Sequence, residues 1–129
     1  MIKLIELSIS NDVDGSPAHT TTNIMKITSR LFDEAAITAY EGRTYSPPGL
    51  WGKKTKIEIT FIDELSEADL ESVITRKVEL LAHLLGLQSI NVSIDGHLTM
   101  IMSDHPQTDA ERSLVGKLSR DLPPFRLTS

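Results

Sequence analysis

The residues with the clearest capacity for chemistry lie in one segment, positions 43–56. This segment carries four cationic side chains and no carboxylate, whereas the whole chain has a net charge of −5. It also holds the only tryptophan and one of the two tyrosines. Clustered cations attract anions, and an aromatic ring can stack on a base. The sequence therefore predicts a basic aromatic loop that binds a ligand or partner through Arg43, Tyr45, Trp51, Lys53 and Lys54.

Two interpretations of this loop stay open. Trp51 stacks on a bound ring, or it folds back over the hydrophobic edge of a sheet in a solvated loop. The glycines and lysines of 49–54 lack the spacing of a phosphate-binding P-loop and lead into a strand. The segment therefore indicates anion binding by side chains and not a nucleotide-binding loop.

Histidines and aspartates form a second group of candidates. Asp12, Asp14 and His19 share one loop, which lacks the glycine and glutamate that a calcium loop needs at its sixth and twelfth positions. His97 and His105 flank a predicted strand and lie about 26 Å apart at about 3.3 Å per residue. We predict no metal, no cofactor and no catalytic residue. A small hydrolase or isomerase that uses scattered His and Asp side chains is retained as an alternative.

A run of five carboxylates without a base follows the basic loop, at positions 63–71. Most of them fall at a predicted helix start, where each acid stabilises the helix dipole by a few tenths to about 1 kcal/mol. If they instead face outward in a row, they would dock on a basic partner. That alternative makes the protein an inhibitor or accessory factor of the kind carried by mobile elements, acting through the acidic surface 63–71.

The composition limits the classes of protein. The 129 residues are 40% hydrophobic and 24% charged, as in one soluble globular domain. There is no cysteine, which excludes disulfides and thiolate sites. No apolar run approaches the roughly 18 residues of a membrane span, and no signal peptide is evident, so we expect a cytoplasmic protein without membrane contact. The acidic balance argues against nucleic acid as a partner.

The pattern of the first half of the chain predicts a strand, a helix and two further strands. Residues 2–9 alternate as a strand with apolar residues on both phases, which indicates cover on both faces or a bulge near Ile5. A polar loop over 11–20 leads to a helix at about 22–33, capped by one of three threonines. Residues 36–45 and 56–62 favour strands on either side of the basic loop.

The second half predicts helix, hairpin and helix. A capping box at Ser66–Asp69 opens a strongly amphipathic helix over about 67–85. Asp95–Gly96 then marks a hairpin between strands 90–94 and 98–102. A three-residue loop with His97 at its tip pairs the apolar phases of both strands, and we prefer it. A two-residue turn would set Ile94 opposite His97 and turn the Leu-Met-Met series to the polar side. A second capping box begins a helix that runs from Thr108 to about 121.

These elements predict a single α+β domain over 1–129. The first six match the ferredoxin-like β-α-β-β-α-β arrangement, to which a C-terminal β-hairpin strand and a terminal helix are added. The apolar stripes of helix 67–85 and strand 98–102 are broad for one small core, so we predict a homo-oligomer such as a homodimer. The predicted function is a non-enzymatic binding or regulatory module for an anionic small molecule or an acidic protein surface.

Overall fold

The computed structural model describes residues 2–13, 16–32, 36–46, 50–62, 67–102 and 107–121. In chain order the elements are β1 Ile2–Ser10, β2 Asp12–Val13, β3 Ser16–Pro17, α1 Thr21–Leu31, β4 Ala36–Ser46, β5 Leu50–Ile62, α2 Glu67–Leu85, β6 Ser89–Ile94, β7 His97–Met102 and α3 Asp109–Asp121. The α+β class predicted from the sequence is confirmed. No described helix combines the length and apolar character needed to cross a bilayer.

Five of the strands form one antiparallel sheet in the order β4-β5-β1-β6-β7, while β2 and β3 pair only with each other. Both hairpins of the main sheet, β4–β5 and β6–β7, join strands that follow each other in the chain. The strand β1 lies between β5 and β6, so the two hairpins are held together by the first strand of the chain.

The helices cover one side of this sheet, which we call the inner face. Alternate residues of β1, among them Ile5 and Leu7, are buried there together with Ile57 of β5 and Val92 of β6. The helix α1 contacts β4 and β5, and α2 contacts β6 and β7. On the opposite side, the outer face, β1 exposes Leu4 and Glu6. The apolar residues on both phases of β1 therefore do not mean that it is covered on both faces.

Specific polar contacts fix the helices. Thr20 caps α1 by accepting from the Asn23 N–H at 3.1 Å. The ammonium of Lys77 on α2 donates to the Leu31 carbonyl at 2.5 Å, at the end of α1 where carbonyls lack helical partners. The predicted capping box of α3 is present, since Thr108 and Glu111 each accept from the other's backbone N–H.

An ion pair fastens α3 to α2. The guanidinium of Arg76 donates to both carboxylate oxygens of Glu111 and, at 2.6 Å, to Glu79 one turn along α2. These bonds hold the pKa of Glu111 down at about 2, with the Arg76 guanidinium as the first cause and the Thr108 N–H as the second. They also raise the pKa of Arg76. The terminal helix is thus positioned by charge as well as by the buried Leu118.

The expected three-residue loop between β6 and β7 is wrong. Ile94 pairs with His97, so the turn has two residues, Asp95 and Gly96. Both have positive φ, 49° and 88°, as a two-residue hairpin turn with the twist of its strands requires. Aspartate tolerates this conformation, and here its carboxylate accepts from the Leu4 N–H at 3.0 Å. The turn therefore sets the register, and the Leu-Met-Met series faces outward.

The expected loop over 43–56 is also wrong in its extent. The strand β4 continues to Ser46 and β5 begins at Leu50, with every residue from Ala36 to Ser46 paired across the hairpin. Only positions 47–49 of the expected loop lie outside the described residues. Threonine, tyrosine and tryptophan favour strands, and pairing supplies partners for the backbone that a free loop would leave to water.

Candidate functional site

The predicted contact residues lie toward the end of the β4–β5 hairpin where the chain passes from β4 to β5. Arg43 is directly opposite Lys53, and Tyr45 is directly opposite Trp51. Directly opposed residues in an antiparallel pair have Cβ atoms about 4.5–5.5 Å apart. The structure thus brings the backbones of four of the five predicted residues together in two neighbouring pairs. Their side chains lie outside the described part of the chain, so their roles stay predictions.

Lys54, the fifth predicted residue, belongs to the other alternating set of β5. It pairs with Gly42 on β4 and with Ser10 on β1, and it is half-buried. Residues two apart on a strand share a face. Lys54 therefore belongs with Lys56 and Glu58 on the outer face.

The outer face carries two polar rows that run across three strands. In the first, Glu6 on β1 lies between Glu58 on β5 and Ser93 on β6. In the second row, Ser8 is the β1 member, and its neighbours are Lys56 and Asn91. The two rows are two residues apart along each strand, so carboxylates, a lysine, hydroxyls and an amide share one small area. Glu6 and Glu58 place two carboxylates at directly opposed positions, so a ligand that carries a cation would be attracted to them.

A shallow cavity of about 160 Å³ opens over these rows. Its wall contains all six row residues and also Leu98 of β7, an exposed apolar side chain. Glu6, Lys56 and Glu58 are exposed at its surface. The cavity therefore offers charges of both signs, hydrogen-bond donors and acceptors, and one apolar wall. This combination suits a small ligand that itself carries both charges and an apolar ring.

The histidine candidates that the structure describes lie on different elements. His19 is buried, and its Nε2 donates to the Leu85 carbonyl oxygen at 2.6 Å, which ties the loop before α1 to the end of α2. His83 and His97 are exposed on α2 and at the start of β7, and His105 lies outside the described residues. Within the described chain, no three His, Asp or Glu side chains gather to hold a metal ion.

The buried polar residues around His19 form a structural network. Asn11 donates from its amide to the His19 carbonyl at 3.0 Å and accepts from the Thr55 hydroxyl at 2.9 Å. The Thr55 hydroxyl also lies 2.9 Å from that of Thr21 at the start of α1. Three elements therefore meet at this point: the end of β1, the middle of β5 and the first turn of α1.

The acidic run is only partly described. Asp69 and Glu71 are exposed on the first turns of α2, while positions 63–66 lie outside the described residues. Both described carboxylates have electrostatic or hydrogen-bond partners. A continuous outward row of acids stays a prediction.

Sequence reasoning missed the outer-face rows because no single segment contains them. Their signal was present as alternation: β1, β5 and β6 each place charged or polar residues between apolar ones. Such alternation tells which side of a strand meets water. It does not tell which strands are neighbours, and only neighbouring strands bring Glu6 to Glu58.

No family model matches the chain, and no curated protein matches it. Solved structures of a phage SAM lyase do resemble it. The lyase in complex with S-methyl-5′-thioadenosine has a TM-score of 0.62 and 17% identity, covering 82% of this chain and 93% of that one. The apo lyase has a TM-score of 0.60 and 18% identity, covering 81% and 92%. At this identity the likeness establishes a shared fold.

Proposed function

We propose that this protein binds S-adenosylmethionine on its outer face and cleaves it. The observation that carries the proposal is the mixed-charge cavity over the two polar rows, on a fold shared with a phage SAM lyase. The substrate carries a sulfonium, an ammonium, a carboxylate and an adenine ring. The cavity offers carboxylates, a lysine, an amide and an apolar wall. Fold likeness alone would carry little functional weight.

The chemistry of such a lyase follows from the compound bound to the similar structure. S-methyl-5′-thioadenosine is what remains of S-adenosylmethionine when the bond between sulfur and the amino-acid chain breaks. The electron pair of that bond stays on sulfur, and the positive charge disappears. The carbon that loses sulfur is satisfied by a nucleophile within the same substrate or by loss of a neighbouring proton, because a lyase adds no water.

The carboxylates of Glu6 and Glu58 would then act on binding. A sulfonium is attracted by the charge of these two carboxylates, and that attraction ends when sulfur becomes a neutral thioether. Interactions that are stronger in the ground state than in the transition state lower KM and also lower kcat. We therefore assign this pair to substrate capture and product release.

The second row would hold the polar ends of the ligand. The ammonium of Lys56 suits the amino-acid carboxylate, and the Asn91 amide can donate to and accept from an adenine edge. Sites for small molecules commonly enclose about 300–1,000 Å³, so a cavity of about 160 Å³ holds only part of this ligand. The remainder lies along the exposed face.

The experiment is to incubate purified protein with S-adenosylmethionine and quantify S-methyl-5′-thioadenosine by chromatography with mass detection. Product above the spontaneous rate is expected from the wild type. Glu6→Gln and Glu58→Gln should each raise KM about tenfold, which corresponds to about 1.4 kcal/mol. They should weaken binding of the neutral product far less. Glu71→Gln, which removes an exposed carboxylate on α2, is the matched control and should change neither quantity.

Two results would reject the proposal. The first is wild-type protein that neither binds nor cleaves S-adenosylmethionine. The second is cleavage that Glu6→Gln and Glu58→Gln leave as unaffected as Glu71→Gln does, which would place the site elsewhere on the fold.

A second candidate is the binding function predicted for the basic hairpin. The two cross-strand pairs, Arg43 with Lys53 and Tyr45 with Trp51, support it because cationic and aromatic residues occupy neighbouring positions of the paired backbones. Adenosine triphosphate is a suitable anionic probe with a ring, and Trp51 emission reports its binding. Lys53→Glu with Lys54→Glu should weaken binding, less so at high salt, with little change in Tm. Lys26→Glu with Lys117→Glu, both exposed on helices, is the control. Unaltered emission in the wild type would retire this site.

We further propose that the sheet is a ferredoxin-like one with an added strand. The order β4-β5-β1-β6 supports this. The fourth long strand, β6, lies on one side of the first, β1, and the third and second, β5 and β4, lie on its other side. A cytoplasmic location remains a proposal, to be tested by imaging of a tagged chain.

A further inference from the structure

We infer that the free edge of β7 is the docking strand for a second copy of this chain. Among the strands that the structure describes, β7 is the last of the sheet on its side. Its outer-face residues are large, apolar and exposed: Leu98 is 85% exposed, Met100 59% and Met102 42%. Single exposed apolar residues are ordinary, whereas a contiguous row of them marks an interaction surface.

The backbone of the same three residues points toward the free edge. A two-residue turn makes its flanking residues, Ile94 and His97, a hydrogen-bonded pair. Hydrogen-bonded and non-bonded pairs alternate along an antiparallel ladder. Thr99 and Ile101 therefore bond to β6. The N–H and C=O groups of positions 98, 100 and 102 are directed away from it.

The strand β7 lacks the features that usually prevent an exposed edge strand from pairing. Exposed edges are usually protected by lysine or another charge, by proline or by a bulge. The sequence of β7, HLTMIM, has no Asp, Glu, Lys, Arg or proline, and its pairing with β6 runs without interruption from His97 to Met102. By contrast, the opposite edge strand, β4, contains Glu41 and Arg43.

A second β7 fits this edge in one register. Two antiparallel copies with Met100 opposite Met100 of the partner subunit place Leu98 opposite Met102 of the partner subunit. All residues with outward backbone groups then face each other, so each pair exchanges two hydrogen bonds. Their apolar side chains lie on the same outer face and pack across the joint. Such self-complementarity is what an interface between identical chains requires.

The surface of α2 does not share this role. The apolar stripe that the sequence suggested as a second interface is used in the core, where Leu70, Ile74 and Leu81 are fully buried. Assembly therefore depends on β7 and not on the helix.

The test is the mass in solution by light scattering and sedimentation over a hundredfold range of concentration. Wild type should reach at least twice the 14.3 kDa of one chain. Met100→Lys should yield single chains by placing charge in the joint. Met100→Pro should do the same by removing an outward N–H that β6 does not use, since proline is tolerated at such edge positions. Met25→Lys, at an exposed methionine of α1, is the control and should assemble like wild type.

Circular dichroism must show each variant folded, and Met100→Lys covers the case in which the proline variant unfolds. The inference is overturned if wild type stays at the mass of one chain throughout. It is equally overturned if assembly persists in folded Met100→Lys. Leu98 belongs both to this joint and to the cavity wall, but Met100 does not line the cavity and the mass is measured without ligand, so the outcome is read separately from cleavage of S-adenosylmethionine.

Discussion

The buried network around Asn11 should contribute more to stability than any exposed polar group. Asn11 is 4% exposed and Thr55 is fully buried, and each is hydrogen-bonded to the other. We consider Asn11→Ala, Thr55→Val and the double variant. Asn11→Ala removes the donor to the His19 carbonyl, while the Thr55 hydroxyl can turn to Thr21. The buried His19 carbonyl therefore loses its bond to the amide.

The magnitudes follow from these partners. Taking a partner from a buried polar group costs about 1–3 kcal/mol and a further lost hydrogen bond about 1 kcal/mol, so Asn11→Ala should lose about 2–4 kcal/mol. Thr55→Val keeps the shape of the side chain but removes the donor to the Asn11 side-chain oxygen Oδ1. This loss should lower the free energy of unfolding by about 1–3 kcal/mol. Once Asn11 is gone, Thr55→Val should cost about 1 kcal/mol less, since contacting residues couple by about 0.5–3 kcal/mol.

Urea unfolding followed by circular dichroism measures these losses. With m about 1–3 kcal/mol/M, a loss of 3 kcal/mol moves the midpoint by about 1–3 M. Thr38→Val, at an exposed strand position, is the matched control and should stay within about 0.5 kcal/mol of wild type. The reasoning is refuted if Asn11→Ala costs no more than this control, or if the two single losses simply add in the double variant.

Two further predictions concern contacts at the ends of elements. Because the pKa of Glu111 is lowered to about 2, its ion pair with Arg76 stabilises the fold fully above the unfolded value of 4.5, and that contribution is lost as pH falls toward 2. Glu111→Gln should therefore flatten the decline of Tm between pH 5 and 2.5, and an unchanged decline would exclude this pair as its source. Asp95→Ala should cost about 1–2 kcal/mol, because alanine neither accepts from Leu4 nor tolerates the positive φ of Asp95. Asp95→Asn should recover most of that loss in urea unfolding, and equal losses in both variants would refute the reasoning.

Sequence patterns predicted the helices well because local chemistry decides where a helix begins. The reciprocal bonds of Thr108 and Glu111 are made between residues three apart, so they can be foreseen without knowing the fold. The same applies to α1, which begins beside the three threonines considered as caps and uses Thr20. The stripe of α2 was also evident, since its buried residues recur at helical spacing.

The register of the β6–β7 hairpin was mispredicted because two rules conflicted. Matching apolar phases favoured a longer turn, whereas Asp95 and Gly96 favoured a turn of two residues with positive φ. The turn prevailed, since Asp95 also bonds to Leu4 of the neighbouring strand in both directions. The apolar residues were left exposed on an edge strand, and that exposure is what suggests a partner.

The basic hairpin and the outer face also show that local sequence does not determine which strands are neighbours. Composition drew attention to 43–56, because four cations fall in this one segment without a carboxylate. Pairing then separates them: Arg43 and Lys53 face each other, while Lys54 belongs to the opposite alternating set with Lys56 and Glu58. The polar rows could not be predicted from any one segment, because Glu6 meets Glu58 only when β1 lies beside β5, and it meets Ser93 only when β1 also lies beside β6. Strand order, which depends on how the whole chain packs, therefore decides whether scattered side chains become a site.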